Sequence, residues 1–228
     1  MRVKVCGMTR LDQILQLEEW GVQFAGLIFY PKSPRYIKKF HLSAIDLKRE
    51  KMNINRVGVF VNASLDEILR TVDAWRLHMV QLHGDESPKF CEQVSNHVNT
   101  VKAFRIGESD NVEWKIFPYQ EYTDMYLFDN GWAGNASADK AAVYGGSGQH
   151  FNWNQLDKVR VGKPYMLSGG ICPEDAARLR AFAAEQKDLF AVDVNSRFEV
   201  APGVKDMNKL KDRILRQGHL NFFIILKH

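Results

Sequence analysis

Two polar residues end apolar segments of this sequence, and their side chains could serve as a base and an acid. Cys6 ends Val3–Cys6, just before Gly7, and Asp129 ends Met125–Asp129. A thiolate can act as a general base or nucleophile when a nearby cation lowers its pKa, and a carboxyl group can donate a proton. Each residue also has a structural interpretation, Cys6 as a small buried hydrophobe and Asp129 as a turn cap. As a pair, they could deprotonate a bound substrate from one side and protonate it from the other.

Three small-residue segments in the C-terminal half of the chain favour a phosphate site. They are Gly145–Gly148, Ser168–Gly170 and Asp193–Ser196. Glycine lets backbone N–H groups approach an anion closely, although a single Gly-Gly pair is more often only a turn. Neither a Gly-x-Gly-x-x-Gly nor a Gly-x-x-x-x-Gly-Lys pattern occurs, which argues against a dinucleotide or P-loop site. The phosphate-binding candidates are Gly146, Ser147, Gly169, Gly170, Asn195 and Ser196.

Three further polar residues are candidates for holding the rest of a substrate. Arg35 lies in a segment stiffened by two prolines, where it could pair in bidentate fashion with a carboxylate or simply remain a solvated loop charge. Gln81 and His83 are two residues apart and would therefore share one face of a strand. They could hydrogen-bond a substrate or fill the polar mouth of a barrel.

The elements that would position these residues alternate along the chain. Eight short apolar segments are separated by segments of helical periodicity, which is typical of parallel strands covered by helices. The apolar segments are Val3–Cys6, Phe24–Phe29, Val57–Val61, Met79–Leu82, Val101–Phe104, Met125–Asp129, Tyr165–Ser168 and Phe190–Val194. Helix starts are indicated by the capping pairs Thr9 with Asp12, Ser43 with Asp46, and Ser64 with Glu67.

Eight strand–helix units predict an α/β protein with a single (β/α)8 TIM barrel over residues 1–218. The alternative, a doubly wound open sheet, usually has only about five or six strands in this length. Two long connections, 30–41 and 130–144, follow the second and sixth strands and thus lie at the face where barrel active sites form. The apolar segment 219–228 is interpreted as a C-terminal tail of unknown role.

Composition limits the possible classes of protein. The chain has 228 residues, with 31 Lys and Arg against 27 Asp and Glu, a net charge of +4, and 45% hydrophobic residues. That apolar content excludes a disordered chain, and no apolar run approaches the ~20 residues of a membrane-spanning helix. Three widely spaced cysteines without a Cys-x-x-Cys pair favour the reducing cytoplasm over a disulfide framework or a zinc site. We expect a cytoplasmic protein with no metal, no membrane contact and no nucleic-acid partner, whose mild positive charge suits an anionic metabolite.

The motifs around these candidates closely resemble the phosphoribosylanthranilate isomerase family of tryptophan biosynthesis. The resemblance runs from Val3 to about Asp206, in family order. The matching segments are 4–9, 29–36, 57–62, 80–84, 144–148, 151–153, 167–170, 173–174 and 202–206.

This resemblance implies an Amadori rearrangement without any cofactor. N-(5′-phosphoribosyl)anthranilate would open its furanose ring to a Schiff base, lose the C2′ proton, and become 1-(2-carboxyphenylamino)-1-deoxyribulose 5-phosphate. In the family pattern Asp129 would be the general acid at the ring oxygen and Cys6 the general base at C2′. Arg35 would hold the anthranilate carboxylate, and the small-residue segments would hold the phosphate. The implied partner is a small phosphorylated substrate, with the chain a monomer or a homodimer.

Two other interpretations stay open at this point. The analogous isomerase of histidine biosynthesis performs the same rearrangement on a larger aminoimidazole substrate, but that family has an aspartate where this chain has Cys6. A barrel that binds a phosphorylated ligand without turnover is the other, although the retained acid and base argue against it. Within the resemblance, Arg197 replaces a common glycine and could add charge near the phosphate.

Overall fold

Eight parallel strands close into a barrel in the computed structural model, which describes residues 1–130, 152–157 and 159–217. The strands are β1 (Arg2–Val5), β2 (Phe24–Ile28), β3 (Asn55–Phe60), β4 (Met79–Leu82), β5 (Asn99–Ile106), β6 (Met125–Asn130), β7 (Tyr165–Leu167) and β8 (Leu189–Val194). They pair in sequence order, and β8 returns to β1 with Asp193 opposite Lys4. The predicted TIM barrel is therefore confirmed, and each of the eight apolar segments coincides with a strand.

Helices connect the strands. The α-helices among the described residues are α1 (Leu11–Glu19), α2 (Ala44–Arg49), α3 (Leu65–Trp75), α4 (Pro88–Ser95), α5 (Val112–Ile116), α6 (Ala176–Glu185) and α7 (Met207–Gln217). Short 3-10 helices occur at Ile37–Lys39, Phe117–Tyr119, Trp153–Leu156, Pro173–Asp175 and Ser196–Phe198. None of the helices described has the length and apolar character needed to cross a membrane.

Two of the predicted helix starts are made by the expected serines. At α2, the Asp46 amide donates to Ser43 Oγ at 3.3 Å, and the Ser43 amide donates to Asp46 Oδ2 at 2.9 Å. At α3, the Glu67 amide donates to Ser64 Oγ at 3.2 Å. These contacts satisfy N–H groups that have no partner within the first helical turn.

The predicted cap of α1 is wrong. The residue before α1 is Arg10, whose side chain makes no capping hydrogen bond. The Thr9 hydroxyl instead donates to the carbonyl oxygen of Gly203, and Asp12 pairs with the Arg10 guanidinium at 2.8 Å. The Thr9 hydroxyl, which we expected to cap α1, thus makes a tertiary hydrogen bond instead.

Side chains alternate between the barrel interior and the helix-facing layer, as strand periodicity requires. Val3 and Val5 belong to the large cluster beneath the helices, whereas Cys6 packs with Ile28 and Val59 inside the barrel. A separate interior cluster contains Val101, Ala103, Met125, Leu127, Met166 and Ala191. Apolar residues therefore fill part of the interior, and Cys6 lies at the carboxyl end of β1.

An antiparallel hairpin that we did not predict follows β8. Its strands are β9 (Glu199–Ala201) and β10 (Val204–Lys205), with Lys205 opposite Glu199. Pro202 and Gly203 connect them, and Gly203 has φ of +85°, as the third residue of a type II turn requires. The hairpin brings two charged side chains together beside the end of β8.

Several predictions lie outside the described residues. They concern most of the 130–144 connection, the phosphate candidates Gly146 and Ser147, and the tail 219–228. The division into a barrel over 1–218 and a tail therefore stays a prediction. The other long connection, 30–41, includes the 3-10 helix Ile37–Lys39.

Candidate active site

Cys6 follows β1 and lies buried at the mouth of the barrel, with 4% of its surface exposed. Burial raises the pKa of the Cys6 thiol, and the ammonium groups of Lys4 and Lys205 oppose that effect only in part. The nearby cation that favours a thiolate is present, but desolvation has the larger effect on the pKa of Cys6. The neutral thiol is therefore the resting form near pH 7.

A buried ion pair lies next to this thiol. Lys4 and Asp193 face each other on paired strands, with 2.9 Å between Lys4 Nζ and Asp193 Oδ1 and side-chain exposures of 0% and 5%. Burial alone would lower the pKa of the Lys4 ammonium, but its contacts with Asp193 and Cys6 raise it overall. Lys4 consequently stays protonated beside Cys6.

Asp129 lies within β6 near its carboxyl end, and a histidine faces it. Its Oδ1 accepts a hydrogen bond of 2.8 Å from the Asn130 amide, and its Oδ2 lies 3.4 Å from His83 Nε2. Gln81 Nε2 lies 2.7 Å from His83 Nδ1. Because an amide NH2 group only donates, Nδ1 accepts in this arrangement, and a neutral ring carries its proton on Nε2, facing Asp129.

Two side-chain atoms of Gln81 and His83 have no hydrogen-bond partner among the described residues. They are Gln81 Oε1 and His83 Nε2, and both are buried. The contact of His83 Nε2 with Asp129 is thus electrostatic and longer than a normal hydrogen bond. The structure brings the two predicted substrate-binding residues together with the predicted acid.

Base and acid candidates lie on well-separated strands at the barrel mouth. Cys6 follows β1 and Asp129 belongs to β6, with β7 and β8 between them around the barrel. Both are at the carboxyl ends of parallel strands, where barrel enzymes place their catalytic groups. A substrate seated over the mouth would have a thiol on one side and a carboxyl group on the other.

Arg35 is buried and already paired with a carboxylate of this chain. Its Nε donates to Glu199 Oε1 and Oε2 at 2.9 and 3.0 Å, and its Nη2 donates to Oε2 at 2.7 Å. Glu199 Oε1 also accepts from Lys205 Nζ at 2.7 Å, and Lys205 Nζ reaches Asn195 Oδ1 at 2.8 Å. Burial lowers the pKa of the Lys205 ammonium, although the Glu199 carboxylate opposes this effect. The Glu199 carboxylate thus pairs with two cations, so Arg35, Lys205 and Glu199 together carry a net positive charge.

Gly7, the residue after Cys6, is in close contact with the side chains of Arg35 and Asn195. Its φ is +71°, and a Cβ atom there would lie 2.8 Å from both Arg35 Cδ and Asn195 Oδ1. Any larger residue would displace one of these side chains. The glycine after Cys6 is therefore required by the approach of Arg35 and Asn195.

The phosphate candidates that the structure describes lie after β7 and β8. Gly169 and Gly170 have φ values of +87° and +72°, the left-handed conformation that favours glycine. Asn195 precedes the 3-10 helix that begins at Ser196, and its side chain accepts from Lys205. These positions form the carboxyl-terminal edge at which such barrels commonly bind phosphate.

Four charged residues of the site were not among the predicted site residues. They are Lys4, Asp193, Glu199 and Lys205. Lys4 is two residues before Cys6, so strand alternation is a signal that could have placed it on the same inward face. The Pro-Gly dipeptide at 202–203 is a hairpin signal that could have brought Glu199 and Lys205 together. The part of the chain that the structure describes contains no group of three or more His, Cys, Asp or Glu residues placed to hold a metal ion.

Comparisons with known proteins agree with this geometry. The family model described as N-(5'phosphoribosyl)anthranilate (PRA) isomerase matches residues 3–215. A relative from Thermotoga neapolitana, named N-(5'-phosphoribosyl)anthranilate isomerase, is 38% identical over 219 residues, which cover 94% of this chain and 97% of the relative.

Solved structures are similar as well. Phosphoribosyl anthranilate isomerase from Thermotoga maritima is 34% identical, with a TM-score of 0.76 and coverage of 96% of this chain and 100% of the other. A phosphoribosyl anthranilate isomerase in complex with reduced 1-(o-carboxyphenylamino)-1-deoxyribulose 5-phosphate is 30% identical, with a TM-score of 0.74 and the same coverage. The matched family model and these relatives establish that this chain belongs to the N-(5'-phosphoribosyl)anthranilate isomerase family.

Proposed function

We propose that this chain converts N-(5′-phosphoribosyl)anthranilate to 1-(2-carboxyphenylamino)-1-deoxyribulose 5-phosphate, the isomerase step of tryptophan biosynthesis. The observation that carries the proposal is the placement of Cys6 and Asp129 across one barrel mouth, with Arg35 beside Cys6. The related enzyme with a bound ligand holds a reduced form of that product, which carries both a carboxylate and a phosphate. The positive group around Arg35 and Lys205 suits a substrate that carries these two anionic groups.

Ring opening is the step that needs an acid. The Asp129 carboxyl group protonates the furanose oxygen while the anthranilate nitrogen forms a double bond to C1′ and the C1′–oxygen bond breaks. The product of this step is a protonated Schiff base. His83 is the neighbour within reach of the carboxylate that Asp129 then bears.

Proton removal from C2′ needs a base. The Cys6 thiolate takes this proton, and the electron pair forms the C1′–C2′ double bond and neutralises the nitrogen. The resulting enolamine gains a proton at C1′ and loses the hydroxyl proton at C2′, which yields the ketone. Atoms and electrons balance within the substrate, so the overall change is an isomerisation.

The reaction requires Asp129 as a protonated carboxyl group and Cys6 as a thiolate, so the two side chains together carry one proton. A thiol ordinarily ionises at higher pH than a carboxylic acid, and burial raises the pKa of Cys6 further. The reactive pair, with Cys6 as the thiolate, is therefore a minor form of the site near pH 7. Above the pKa of Cys6 this proton is lost as well, so none remains for the acid and activity falls.

Arg35 binds the anthranilate carboxylate, Gln81 and His83 line the mouth near the acid, and Gly169, Gly170, Asn195 and Ser196 hold the phosphate. The Gly146 and Ser147 segment would complete the phosphate site. Every group in this scheme belongs to a single chain, so a monomer and a homodimer are equally compatible with it. A cytoplasmic location stays a prediction from the cysteine pattern.

Direct assay with two substrates tests the proposal. Purified protein is mixed with freshly formed N-(5′-phosphoribosyl)anthranilate, and loss of substrate fluorescence is followed; the aminoimidazole substrate of the histidine pathway is assayed in parallel. We expect turnover of the anthranilate compound. Turnover of the aminoimidazole compound alone would replace the proposal with the histidine-pathway reaction, and turnover of neither would leave a binding protein.

A further inference from the structure

Glu199 holds the arginine that would bind the substrate carboxylate. Its side chain is 4% exposed and receives three hydrogen bonds from Arg35, two from Nε and one from Nη2. It also accepts from Lys205 Nζ at 2.7 Å and from the Gly203 amide at 3.1 Å. The position of Glu199 is thus fixed by two cations and by the turn of its own hairpin.

These contacts use one edge of the guanidinium and leave the other. A guanidinium has five N–H donors, and a carboxylate that engages Nε and Nη2 leaves both hydrogens of Nη1 and one of Nη2. Among the residues that the structure describes, Arg35 Nη1 makes no hydrogen bond, whereas Nε and Nη2 both donate to Glu199. The remaining Nη1–Nη2 edge is a second bidentate site for a carboxylate, in the same plane.

We infer that Glu199 is a positioning residue that presents the free edge of Arg35 to the anthranilate carboxylate and thereby sets specificity for a carboxylate-bearing substrate. The inference rests on the proposed function, because it concerns the same substrate. An arginine side chain has many rotamers, and the buried Glu199 carboxylate on the Nε side of Arg35 restricts them before substrate arrives. Gly7 allows this placement, since its missing Cβ leaves room for Arg35 Cδ.

A competing role for Glu199 makes the opposite prediction. If Glu199 occupied the place of the substrate carboxylate, it would have to leave before substrate could bind, and removing its charge would strengthen binding. Glu199 occupies the Nε–Nη2 edge of Arg35 and leaves the Nη1–Nη2 edge open, which argues against competition with the substrate carboxylate. Its second cation, Lys205, is also buried and would be left without its carboxylate if Glu199 moved away.

The test compares Glu199→Gln with the unaltered chain for two ligands. One is the reduced product, which carries carboxylate and phosphate, and the other is its analogue with a phenyl ring lacking the carboxylate. We expect Glu199→Gln to weaken binding of the carboxylate ligand by about 10-fold or more, the effect of losing well-aligned hydrogen bonds between charged groups. Binding of the analogue should change by less than about twofold, because Arg35 contributes little to it.

A double-mutant cycle separates positioning from general damage. In an Arg35→Met background, Glu199→Gln should have no further effect on the ratio of the two affinities, since the effect of Glu199 passes through Arg35. Glu113→Gln is the matched control, because it makes the same change of charge on the exposed side of α5. Should Glu199→Gln fail to fold, Glu199→Asp keeps the charge, shortens the reach, and should lower the same ratio to a smaller extent.

Three results would overturn the inference. Tighter binding of the carboxylate ligand by Glu199→Gln would make Glu199 a competitor, and equal weakening of both ligands would make it a structural residue. An effect of Glu199→Gln on the ratio that persists in the Arg35→Met background would exclude action through Arg35. Failure of the proposed function is distinguishable, because the unaltered chain would then bind neither ligand.

Discussion

Lys4 Nζ lies 2.9 Å from Asp193 Oδ1 inside the barrel. Lys4 is two residues before Cys6, and both side chains face the barrel interior. The pair is nearly inaccessible to water, so its charges are weakly screened. Asp193 keeps Lys4 protonated, and Lys4 in turn stabilises a thiolate on Cys6. Because Asp193 shares the charge of Lys4, the cation offsets only part of the desolvation of Cys6. The pKa of the base is consequently set by the balance between burial, this ion pair and the Lys205 ammonium group.

Lys4→Met should therefore raise the pKa of Cys6 further. The fraction of thiolate would fall, so kcat/KM would be lower at its plateau and its decline at high pH would begin at higher pH. Leaving Asp193 unpaired should also lower the free energy of unfolding by about 3–5 kcal/mol. The pH dependence of kcat/KM and urea unfolding measure the two effects.

Lys102→Met is the matched control for Lys4→Met. Lys102 Nζ pairs with Glu86 Oε2 at 2.9 Å, and both side chains are buried, but Lys102 alternates with the interior residues Val101 and Ala103 on β5. Its loss should cost similar stability and leave the pH profile in place. Identical pH profiles for Lys4→Met and the unaltered chain would contradict a role for Lys4 at Cys6.

Cys6→Asp tests which group causes the decline at high pH. Burial raises the pKa of the thiol, so the unaltered chain should keep its activity into the alkaline range and lose it as Cys6 ionises and no proton remains for the acid. A carboxyl group ionises several pH units lower than a thiol, and the decline should move to lower pH in Cys6→Asp. The measurement is kcat/KM against pH for both proteins; a decline at the same pH in both would assign it to another group.

Gln81→Leu distinguishes support of the acid from contact with substrate. Gln81 Nε2 lies 2.7 Å from His83 Nδ1, and His83 Nε2 lies 3.4 Å from Asp129. Without the amide, the ring is free to carry its proton on Nδ1 and to turn an acceptor toward Asp129. We expect kcat to fall by about 10-fold with KM little changed, as for a lost transition-state interaction. A raised KM with unchanged kcat would instead make Gln81 a substrate-binding residue, as its sequence position suggested.

Gly7→Ala should damage the site more than backbone strain alone explains. Gly7 and Gly21 have φ values of +71° and +74°, but only at Gly7 would a Cβ meet neighbours, Arg35 Cδ and Asn195 Oδ1 at 2.8 Å. Gly21→Ala is therefore the control for strain, about 1–2 kcal/mol. Gly7→Ala should lose about 1–3 kcal/mol more in thermal or urea unfolding and also raise KM. Equal losses and an unchanged KM would show that Arg35 does not depend on Gly7.

The barrel could be predicted because it depends on local periodicity, and so does the side of β1 that faces inward. Val3 and Val5 face the helices and Cys6 the interior for the simple reason that strand side chains alternate. Ser43 caps its helix as expected, because its partner is only three residues away. Such contacts can be inferred from neighbouring residues.

The charged part of the site could not be predicted in the same way. Arg35 and Glu199 are 164 residues apart in sequence, and nothing local indicates that they meet. Thr9 was assigned to a helix cap, but its hydroxyl donates to Gly203, 194 residues away. Closure of the barrel brings β8 beside β1 and thus creates both contacts, so they follow from the tertiary fold and not from the local pattern.

We assign Cys6 and Asp129 as the base and acid of one isomerisation. The decisive measurement is kcat of Cys6→Ala and Asp129→Asn toward N-(5′-phosphoribosyl)anthranilate. The controls are Cys91→Ala, which removes a buried thiol of α4, and Asp124→Asn, which makes the same change next to the opposite end of β6. We predict that each site variant loses about 100-fold to 10,000-fold in kcat while folded, and that both controls keep their turnover. Near-normal kcat in either site variant would contradict the assignment.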